Sequence, residues 1–329
     1  MAGRESVFSD PVVVDLASND FVPVAENCSP LQHQRDAKGE FFRLIAEQGH
    51  YAGRRYPTGT RQGYYCFTAD GRVLSAVNSR DPRVIEGMLR LALDRWQLLG
   101  GTGDTDEPGE YVPARPDRYP ANGLVLRLAA RDLPRDPDTR PDDWRKRAWN
   151  LDYAWFTAGE ARALVPEGRA PGAMRQAPWE IVRRLARFHL RDFVRGEPSV
   201  WPEAAVRHGE LALRVVGAES GRVRLALRGA IRLRHEASWV RPEDGGERRS
   251  DCGFDAALVG EATWDEAADR FTAFDLMAAG PRWGTNQYNN RQDDLGPAPL
   301  GIAFQLAGKE PRDRTPPHAS AHGDYFARD

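Results

Sequence analysis

The amino-acid sequence predicts two domains, a small α/β domain followed by a larger α+β domain that consists of an antiparallel sheet with flanking helices. The chain has 329 residues, which exceeds what one typical hydrophobic core accommodates. An apolar run ending at Ala69-Asp70-Gly71 is followed by a second apolar run, the pattern of a β-hairpin. Two runs at residues 210–216 and 222–228 alternate between apolar and polar side chains around a Gly-containing turn, which predicts a second hairpin.

Composition and charge exclude several classes of protein. The net charge is -2, 41% of the residues are hydrophobic, and no apolar run is long enough to cross a bilayer, so we expect no membrane partner. The first ten residues lack the apolar stretch of a secretory signal, which predicts a cytoplasmic location. Cys28, Cys66 and Cys252 form no Cys-x-x-Cys pair, so a disulfide framework is not expected.

The elements of the first domain follow from local signals. Asp10-Pro11 predicts the start of a short helix extending to Ala17, and residues 20–27 are predicted as a strand. A helix is predicted from Ser29 or Pro30 to Gly49, followed by the hairpin. Asp81-Pro82 then begins an amphipathic helix, whose apolar residues recur at helical spacing.

This order of elements, together with short stretches of sequence, resembles a thioredoxin-like domain over about residues 1–100. Phe21-Val22-Pro23-Val24 resembles the second core strand of that family, and residues 67–73 resemble its hairpin motif F-T-x-D-G-x-x. The family's Cys-x-x-Cys is missing, and Arg61-Gln62-Gly63 stands where a cis-proline would precede the hairpin. The resemblance therefore implies a degenerate thioredoxin-like domain at residues 1–104, without dithiol exchange.

The second domain is predicted to extend over residues 105–310, with a flexible tail at 311–329. Residues 100–143 are rich in Gly, Pro, Asp and Arg, which is typical of linkers and surface segments. One apolar, strand-like run at residues 124–128 interrupts this composition. A helix is predicted from Pro178 to Val194, before the strands of the sheet. Residues 187–192, 195–198 and 299–304 resemble the C-terminal part of an uncharacterised bacterial family that has a thioredoxin-like front. That resemblance supports the domain layout and implies no activity.

Cys28 is the candidate catalytic residue. It follows a predicted strand and precedes Ser29-Pro30 and a predicted helix, whose dipole would lower the pKa of a thiol. No base is visible beside it in the sequence. The alternative is a buried small hydrophobic residue, the usual role of a free cysteine.

Two polar segments are candidate ligand-binding sites. Arg61, Gln62 and Tyr64 occupy the position where thioredoxin folds meet their substrates, and Arg61 would recognise a carboxylate or phosphate. The alternative is a polar loop that holds the hairpin in register. The loop at residues 283–296 concentrates amides, aromatic rings and carboxylates, including Trp283, Asn286, Asp293 and Asp294, and would hold a sugar or a cation unless it is only solvated.

Six arginines of the second domain are expected to share one face of its sheet, because they alternate with apolar residues: Arg214, Arg222, Arg224, Arg228, Arg232 and Arg234. A basic face would bind RNA or another polyanion. No aromatic residues interleave with them to stack bases, so a solvated face is the preferred interpretation and nucleic acid is not an expected partner.

These observations predict a protein that binds another protein or a small-molecule ligand without dithiol exchange. The sequence has no Gly-x-Gly-x-x-Gly, no phosphate loop and no His-Glu-x-x-His, so no nucleotide cofactor and no metal are predicted. A single-cysteine enzyme using Cys28 in peroxide, glutathione-type or acyl chemistry is the alternative. Polyanion binding by the arginine face is a second alternative.

Overall fold

The computed structural model describes residues 7–26, 28–32, 36–51, 61–101, 119–120, 122–240, 245–308, 313, 316–321 and 325–326. The chain separates into two units, residues 3–115 and residues 116–329 together with Met1 and Ala2. The boundary predicted at residues 104 and 105 falls in 102–118, outside the described residues. No helix within the described ranges is long and apolar enough to span a membrane.

The described helices and strands of the first unit are α1 (Pro11–Asp20), α2 (Cys28–Leu31), α3 (Ala37–Gln48), β1 (Tyr64–Phe67), β2 (Val73–Val77) and α4 (Pro82–Leu98). Strands β1 and β2 pair in antiparallel fashion, as predicted, and Gly71 in the turn has a φ of 84°. Asp10 caps α1 by accepting hydrogen bonds from the backbone N–H groups of Val12 and Val13. Apolar residues of α1, β1, β2 and α4 form the core of this unit.

Two predictions for the first unit are wrong. Residues 21–26 form no strand, and the side chains of Val22 and Val24 are 90% and 71% exposed. Pro23 lacks the backbone N–H that a strand would donate, and these valines pack against no core. The helix predicted up to Gly49 is also divided, because Asp36 caps the separate helix α3 by accepting a hydrogen bond from the Gly39 N–H.

The second unit contains β3 (Leu124–Asp132), α5 (Trp144–Arg147), β4 (Trp149–Phe156), α6 (Ala158–Ala163), β5 (Met174–Gln176), α7 (Trp179–Arg184), β6 (Val206–Glu219), β7 (Arg222–Val240), β8 (Glu247–Asp265), β9 (Arg270–Trp283) and β10 (Ala298–Leu306). Its eight described strands form one antiparallel sheet in the order β4-β3-β10-β9-β8-β7-β6-β5. The fold is therefore α+β with a large antiparallel sheet, as predicted.

One face of this sheet carries the hydrophobic core. Inward-facing residues of the long strands, such as Leu213, Leu225 and Phe274, are buried with apolar residues of α7. Strand β3, which contains the strand-like run predicted at residues 124–128, lies between β4 and β10. Its residues Leu124, Leu126 and Leu128 alternate toward the core, so burial outweighs the turn-rich composition around it.

In the second unit, two predicted boundaries are wrong, the end of the helix at residues 178–194 and the start of the flexible tail. The helix predicted for residues 178–194 ends at Arg184, continues as one π-helical turn at Leu185–His189, and then becomes irregular. The tail predicted as flexible from residue 311 is packed where it is described, since Ala319 and Tyr325 are each 1% exposed. Tyr325 packs in a second hydrophobic cluster with Val125 and Trp155.

Candidate functional site

Cys28, the predicted nucleophile, is the first residue of α2 and is half-buried. The prediction relied on a helix dipole to lower the pKa of its thiol. Helix α2 has only four residues, so few peptide dipoles align behind the cysteine. The physical support for a reactive thiolate at this position is therefore weaker than the sequence indicated.

Arg61 does not line an open groove in the first unit. Its side chain is fully buried, with Nη1 3.4 Å from Glu47 Oε1, while Nε and Nη2 have no hydrogen-bond partner among the described residues. The Gln62 carbonyl oxygen lies 3.2 Å from His50 Nε2 and accepts a hydrogen bond from the Tyr51 hydroxyl. These contacts favour the alternative interpretation, in which Arg61 and Gln62 belong to a polar loop that holds the hairpin in register.

Two of the predicted residues, Cys28 and Arg61, influence the pKa of Tyr65. The Tyr65 hydroxyl donates to the Arg61 carbonyl oxygen at 2.9 Å. Burial raises the pKa of Tyr65, the charge of Cys28 raises it further, and the charge of Arg61 opposes this effect. Tyr64, the neighbouring residue, instead packs edge-to-face on Phe8 with ring centroids 5.7 Å apart. The structure thus brings Cys28 and Arg61 near Tyr65 but directs Tyr64 elsewhere.

The most unusual feature of the second unit is a buried polar segment, residues 184–196, in which every residue is buried. It carries six side chains that are charged or can become charged: Arg184, Arg187, His189, Arg191, Asp192 and Arg195. Irregular segments normally run over the surface, because buried backbone groups need partners. This buried polar segment therefore needs an extensive set of internal partners.

The first set of partners is an ion-pair network centred on Arg291. Its guanidinium contacts both oxygens of Asp132 at 2.6 and 2.8 Å and both oxygens of Asp192 at 2.7 and 2.8 Å. Arg282 and Arg195 contact Asp294 at 2.5 and 3.1 Å. The network joins the end of β3, the buried polar segment, the end of β9 and the loop that follows β9.

Charge balance keeps this network ionised. Burial raises the pKa of Asp132, but hydrogen bonds and charge from Arg291 outweigh burial and leave that pKa below its usual value. Burial alone would lower the pKa of Arg291, yet Asp192 and Asp132 raise it above the ordinary arginine value. The pair Arg291 and Asp132 is therefore charged on both sides.

Two predicted ligand residues belong to this network. Both carboxylate oxygens of Asp294 are bonded to Arg135, at 2.8 and 2.9 Å, and the residue is 8% exposed. Asp293 lies 3.5 Å from Arg195 and is more exposed. Because its oxygens are already shared among arginines, Asp294 is a partner in the ion-pair network, and its role as a ligand for a cation or sugar stays a prediction.

A second set of partners attaches the C-terminal residues to the buried polar segment. His189 Nε2 lies 2.9 Å from the Tyr325 hydroxyl, which also accepts from the Trp155 N–H at 3.0 Å. The His318 N–H donates to Asp152 Oδ1 at 2.9 Å, and Asp152 Oδ2 lies 3.8 Å from His189 Nδ1. Burial lowers the pKa of His189, only partly offset by Asp152.

A cleft of about 150 Å³ lies beside the ion-pair network. One wall is the part of the β7–β8 hairpin beyond the end of β9, which contributes His235, Trp239 and Cys252. The opposite walls come from residues 198–202, including Trp201, and from residues 286–289. Trp283, at the end of β9, completes the lining. The structure therefore brings the predicted residues Trp283 and Asn286 into one concave site.

Two of the three tryptophans of the cleft, Trp201 and Trp283, are held by hydrogen bonds. Trp201 Nε1 donates to the Leu190 carbonyl oxygen at 2.8 Å, which ties its ring to the buried polar segment. Trp283 Nε1 donates to Asp251 Oδ2 at 3.1 Å, and the Arg234 guanidinium lies 5.1 Å from the centre of the Trp283 ring. A side chain at Gly253 would overlap that ring, since a Cβ there would be 2.0 Å from Trp283 Cζ2.

Cys252 and His235 stand directly opposite each other on β8 and β7 and both line the cleft. The Cys252 thiol donates to the Thr285 carbonyl oxygen at 3.0 Å. Burial raises the pKa of this thiol, so it is protonated at neutral pH. In this state Cys252 offers an apolar, polarisable wall to the cleft and not a nucleophile.

The predicted arginine face exists as a geometric feature. Arg222, Arg224, Arg228, Arg232 and Arg234 are exposed at alternate positions of β7, and Arg214 is exposed on β6. Acidic residues stand opposite some of them on β8, where Asp265 pairs in register with Arg222 and Asp255 with Arg232. Within the described part of the chain, no group of three or more His, Cys, Asp or Glu is arranged to hold a metal ion.

Sequence reasoning missed the buried polar segment, Trp201 and Trp239. The segment was interpreted as the end of an amphipathic helix because Ile181, Val182 and Leu185 follow helical spacing. The sequence does contain a signal for this buried polar segment, namely the high density of arginines around Phe188 and Leu190. A helix with an exposed face does not need so many arginines beside its apolar residues. Comparison of the chain with protein-family models, with curated proteins and with solved structures found no match in any of the three.

Proposed function

We propose that this protein functions by binding a small molecule in the cleft of its second unit. The observation that carries the proposal is the cleft itself, a concave site of about 150 Å³ in which Trp201, Trp239 and Trp283 converge with the amides of residues 286–289. Aromatic walls with a few placed polar groups are typical of ligand sites in proteins. The proposal keeps the prediction of ligand binding without dithiol exchange and places the ligand in this cleft.

The ion-pair network supports the proposal by making the cleft rigid. Asp192 lines the cleft and is bonded through both oxygens to Arg291. Arg191 also lines it, and donates to the carbonyl oxygens of Phe188 and Pro198 at 2.8 and 2.5 Å. A site whose walls are fixed before binding loses less conformational entropy when its ligand arrives.

The test is ligand-detected NMR with a diverse set of small fragments. Saturation transfer from wild-type protein is expected for a subset of fragments, and Trp239→Ala is expected to abolish it for that subset. Trp179→Ala is the matched control, because Trp179 is an exposed tryptophan at the start of α7, outside the cleft. Signals that Trp239→Ala leaves unchanged would contradict the proposal.

A thiol enzyme that uses Cys28 is a second candidate, favoured by the position of Arg61 near the same tyrosine. A buried guanidinium with unpartnered Nε and Nη2 would stabilise a nearby thiolate. Iodoacetamide labelling of Cys28 across pH is the test. An apparent pKa near the unperturbed ~8.5, or no labelling of the folded protein, would remove this candidate.

The thioredoxin-like origin of the first unit remains a prediction. The hairpin β1–β2 followed by α4 is the part of the unit that supports it. The exposed residues 22–26, in place of the family's second core strand, argue against it. An experimental structure in which a further strand extends the β1–β2 hairpin would support the relationship, and an isolated two-stranded hairpin would oppose it.

A further inference from the structure

The cleft contains the side-chain amide of Asn289, whose oxygen is hydrogen-bonded to described residues and whose nitrogen is not. Asn289 is 4% exposed and lines the cleft. Its Oδ1 accepts from the Asn286 N–H at 3.0 Å and from the Thr285 hydroxyl at 3.1 Å. Its Nδ2 makes no hydrogen bond to another residue in the described ranges. The two donors of a buried amide nitrogen are thus available to a group in the cleft.

The neighbouring amides repeat this arrangement. Asn286 Oδ1 accepts from the N–H groups of Tyr288 and Asn289, both at 3.0 Å, which orients its Nδ2 in the same way. Gln287, at the exposed rim, makes no side-chain hydrogen bond to another described residue. The edge of the cleft therefore presents donors, and its natural complement is a hydrogen-bond acceptor on the ligand.

Charge at the cleft is already neutralised by internal partners. Both Asp192 oxygens are bonded to Arg291, and Arg191 donates to two carbonyl oxygens. Arg191 Nη2 makes no hydrogen bond among the described residues, but it is enclosed, and the Asp152 carboxylate lies 3.7 Å from it. A charged ligand would lose its hydration without gaining an unpaired counter-charge, which is unfavourable. A neutral ligand avoids this cost.

The walls and the volume define the rest of the ligand. Trp201, Trp239 and Trp283 present indole surfaces, which favour a flat π-system in offset or edge-to-face contact. A dry cavity of about 150 Å³ holds one benzene-sized ring, and the cleft has this size. Drug-sized molecules need pockets of roughly 300 Å³ or more.

From these four observations we infer that the ligand is a neutral, planar, single-ring compound that carries a carbonyl oxygen at its edge. The ring packs among the tryptophans, and the carbonyl oxygen accepts hydrogen bonds from Asn289 and Asn286. This inference rests on the proposed function and specifies the chemistry of the same cleft.

The test uses four probes on the full chain by isothermal titration calorimetry. Benzamide has the ring and the neutral carbonyl, benzoate is its anionic counterpart, toluene keeps the ring without the carbonyl, and methyl β-glucoside is neutral but not flat. Benzamide is expected to bind about tenfold or more tightly than each of the other three. Equal or tighter binding of benzoate, toluene or the glucoside would overturn the inference.

Substitutions at cleft residues test whether benzamide binds there. Asn289→Asp replaces the amide donors by a carboxylate of nearly the same shape and is expected to weaken benzamide binding at least about tenfold. Trp239→Ala should have a similar effect, and Trp179→Ala none. If Asn289→Asp does not fold, the comparison of benzamide with toluene on the wild-type protein still decides the role of the carbonyl. Benzamide binding that is unchanged in Trp239→Ala would overturn the inference.

Different results would overturn the ligand class and the proposed function. Binding of benzoate, toluene or the glucoside that depends on Trp239 and is as tight as that of benzamide, or tighter, would overturn the ligand class and keep the proposed function. The absence of any Trp239-dependent binding across a diverse fragment set would overturn the proposed function itself.

Discussion

The ion-pair network and the cleft lie side by side in the second unit, share Asp192, and differ in how their central polar side chains, Arg291 and Asn289, are bonded. Not every atom of the network has a partner, since Arg195 Nε and Arg282 Nε make no hydrogen bond among the described residues. In the network, Arg291 makes four contacts of 2.6 to 2.8 Å with Asp132 and Asp192. In the cleft, the amide of Asn289 is oriented by two bonds to its oxygen while its nitrogen is left for another group. The contrast between Arg291, bonded on all sides, and Asn289, with its nitrogen free of any hydrogen bond to a described residue, separates a group that holds the fold from one that faces the cleft.

The largest expected effect comes from breaking the network. Arg291→Met leaves the buried Asp132 and Asp192 without their main counter-charge, and we expect a loss of about 3–5 kcal/mol in the free energy of unfolding. Arg228→Met is the matched control, because Arg228 is exposed on the sheet face. Urea denaturation of both variants measures the effect. A loss for Arg291→Met no larger than for Arg228→Met would mean that the network does not hold the fold.

The contact between the C-terminal residues and the buried polar segment comes next. Tyr325→Phe removes the hydroxyl that pairs with the Trp155 N–H and with His189, and we expect a loss of about 1–3 kcal/mol because both groups stay buried. Tyr288→Phe, at an exposed tyrosine, should cost far less. Thermal unfolding followed by circular dichroism compares the two, and equal midpoints would exclude a structural role for Tyr325.

These contrasts also indicate what the sequence can predict. Periodicity predicted α4, the β1–β2 hairpin and the long strands, because local pattern and burial agree there. It failed at residues 184–196, where long-range partners such as Asp132 and Arg291 decide the structure. Trp283 and Asn286 were found because their loop is locally dense in polar and aromatic residues, while Trp201 and Trp239 lie far from it in sequence.

A pH dependence should come from His189. Burial lowers the pKa of His189, so the folded state resists protonation while the unfolded chain takes up a proton near pH ~6.5. Stability is therefore retained above that pH and lost as the pH falls toward the pKa of the folded state, by up to ~1.4 kcal/mol per pH unit. His318, whose pKa burial also lowers, contributes in the same direction.

The measurement is the free energy of unfolding at several pH values between 7 and 5. His189→Gln should have a shallower slope than wild type, and His208→Gln, at an exposed histidine, should not. Identical slopes for wild type and His189→Gln would show that His189 does not supply the pH dependence.

The smallest effect on stability is expected in the cleft. Gln287 is exposed and makes no side-chain hydrogen bond to a described residue, so Gln287→Ala should change the free energy of unfolding by less than about 0.5 kcal/mol. The same variant should weaken binding of a cleft ligand, because it removes a donor at the rim. Calorimetry with benzamide, together with urea denaturation, measures both quantities. A large loss of stability would mean that the Gln287 side chain holds the fold and does not serve only to contact a ligand.

The most direct measurement of the central claim is an experimental structure of the protein soaked with a mixture of small neutral ring compounds. Ordered ligand density is expected between Trp201 and Trp239, with an acceptor atom within hydrogen-bond distance of Asn289 Nδ2. Well-ordered fragments elsewhere on the protein, with the cleft occupied only by solvent, would contradict it.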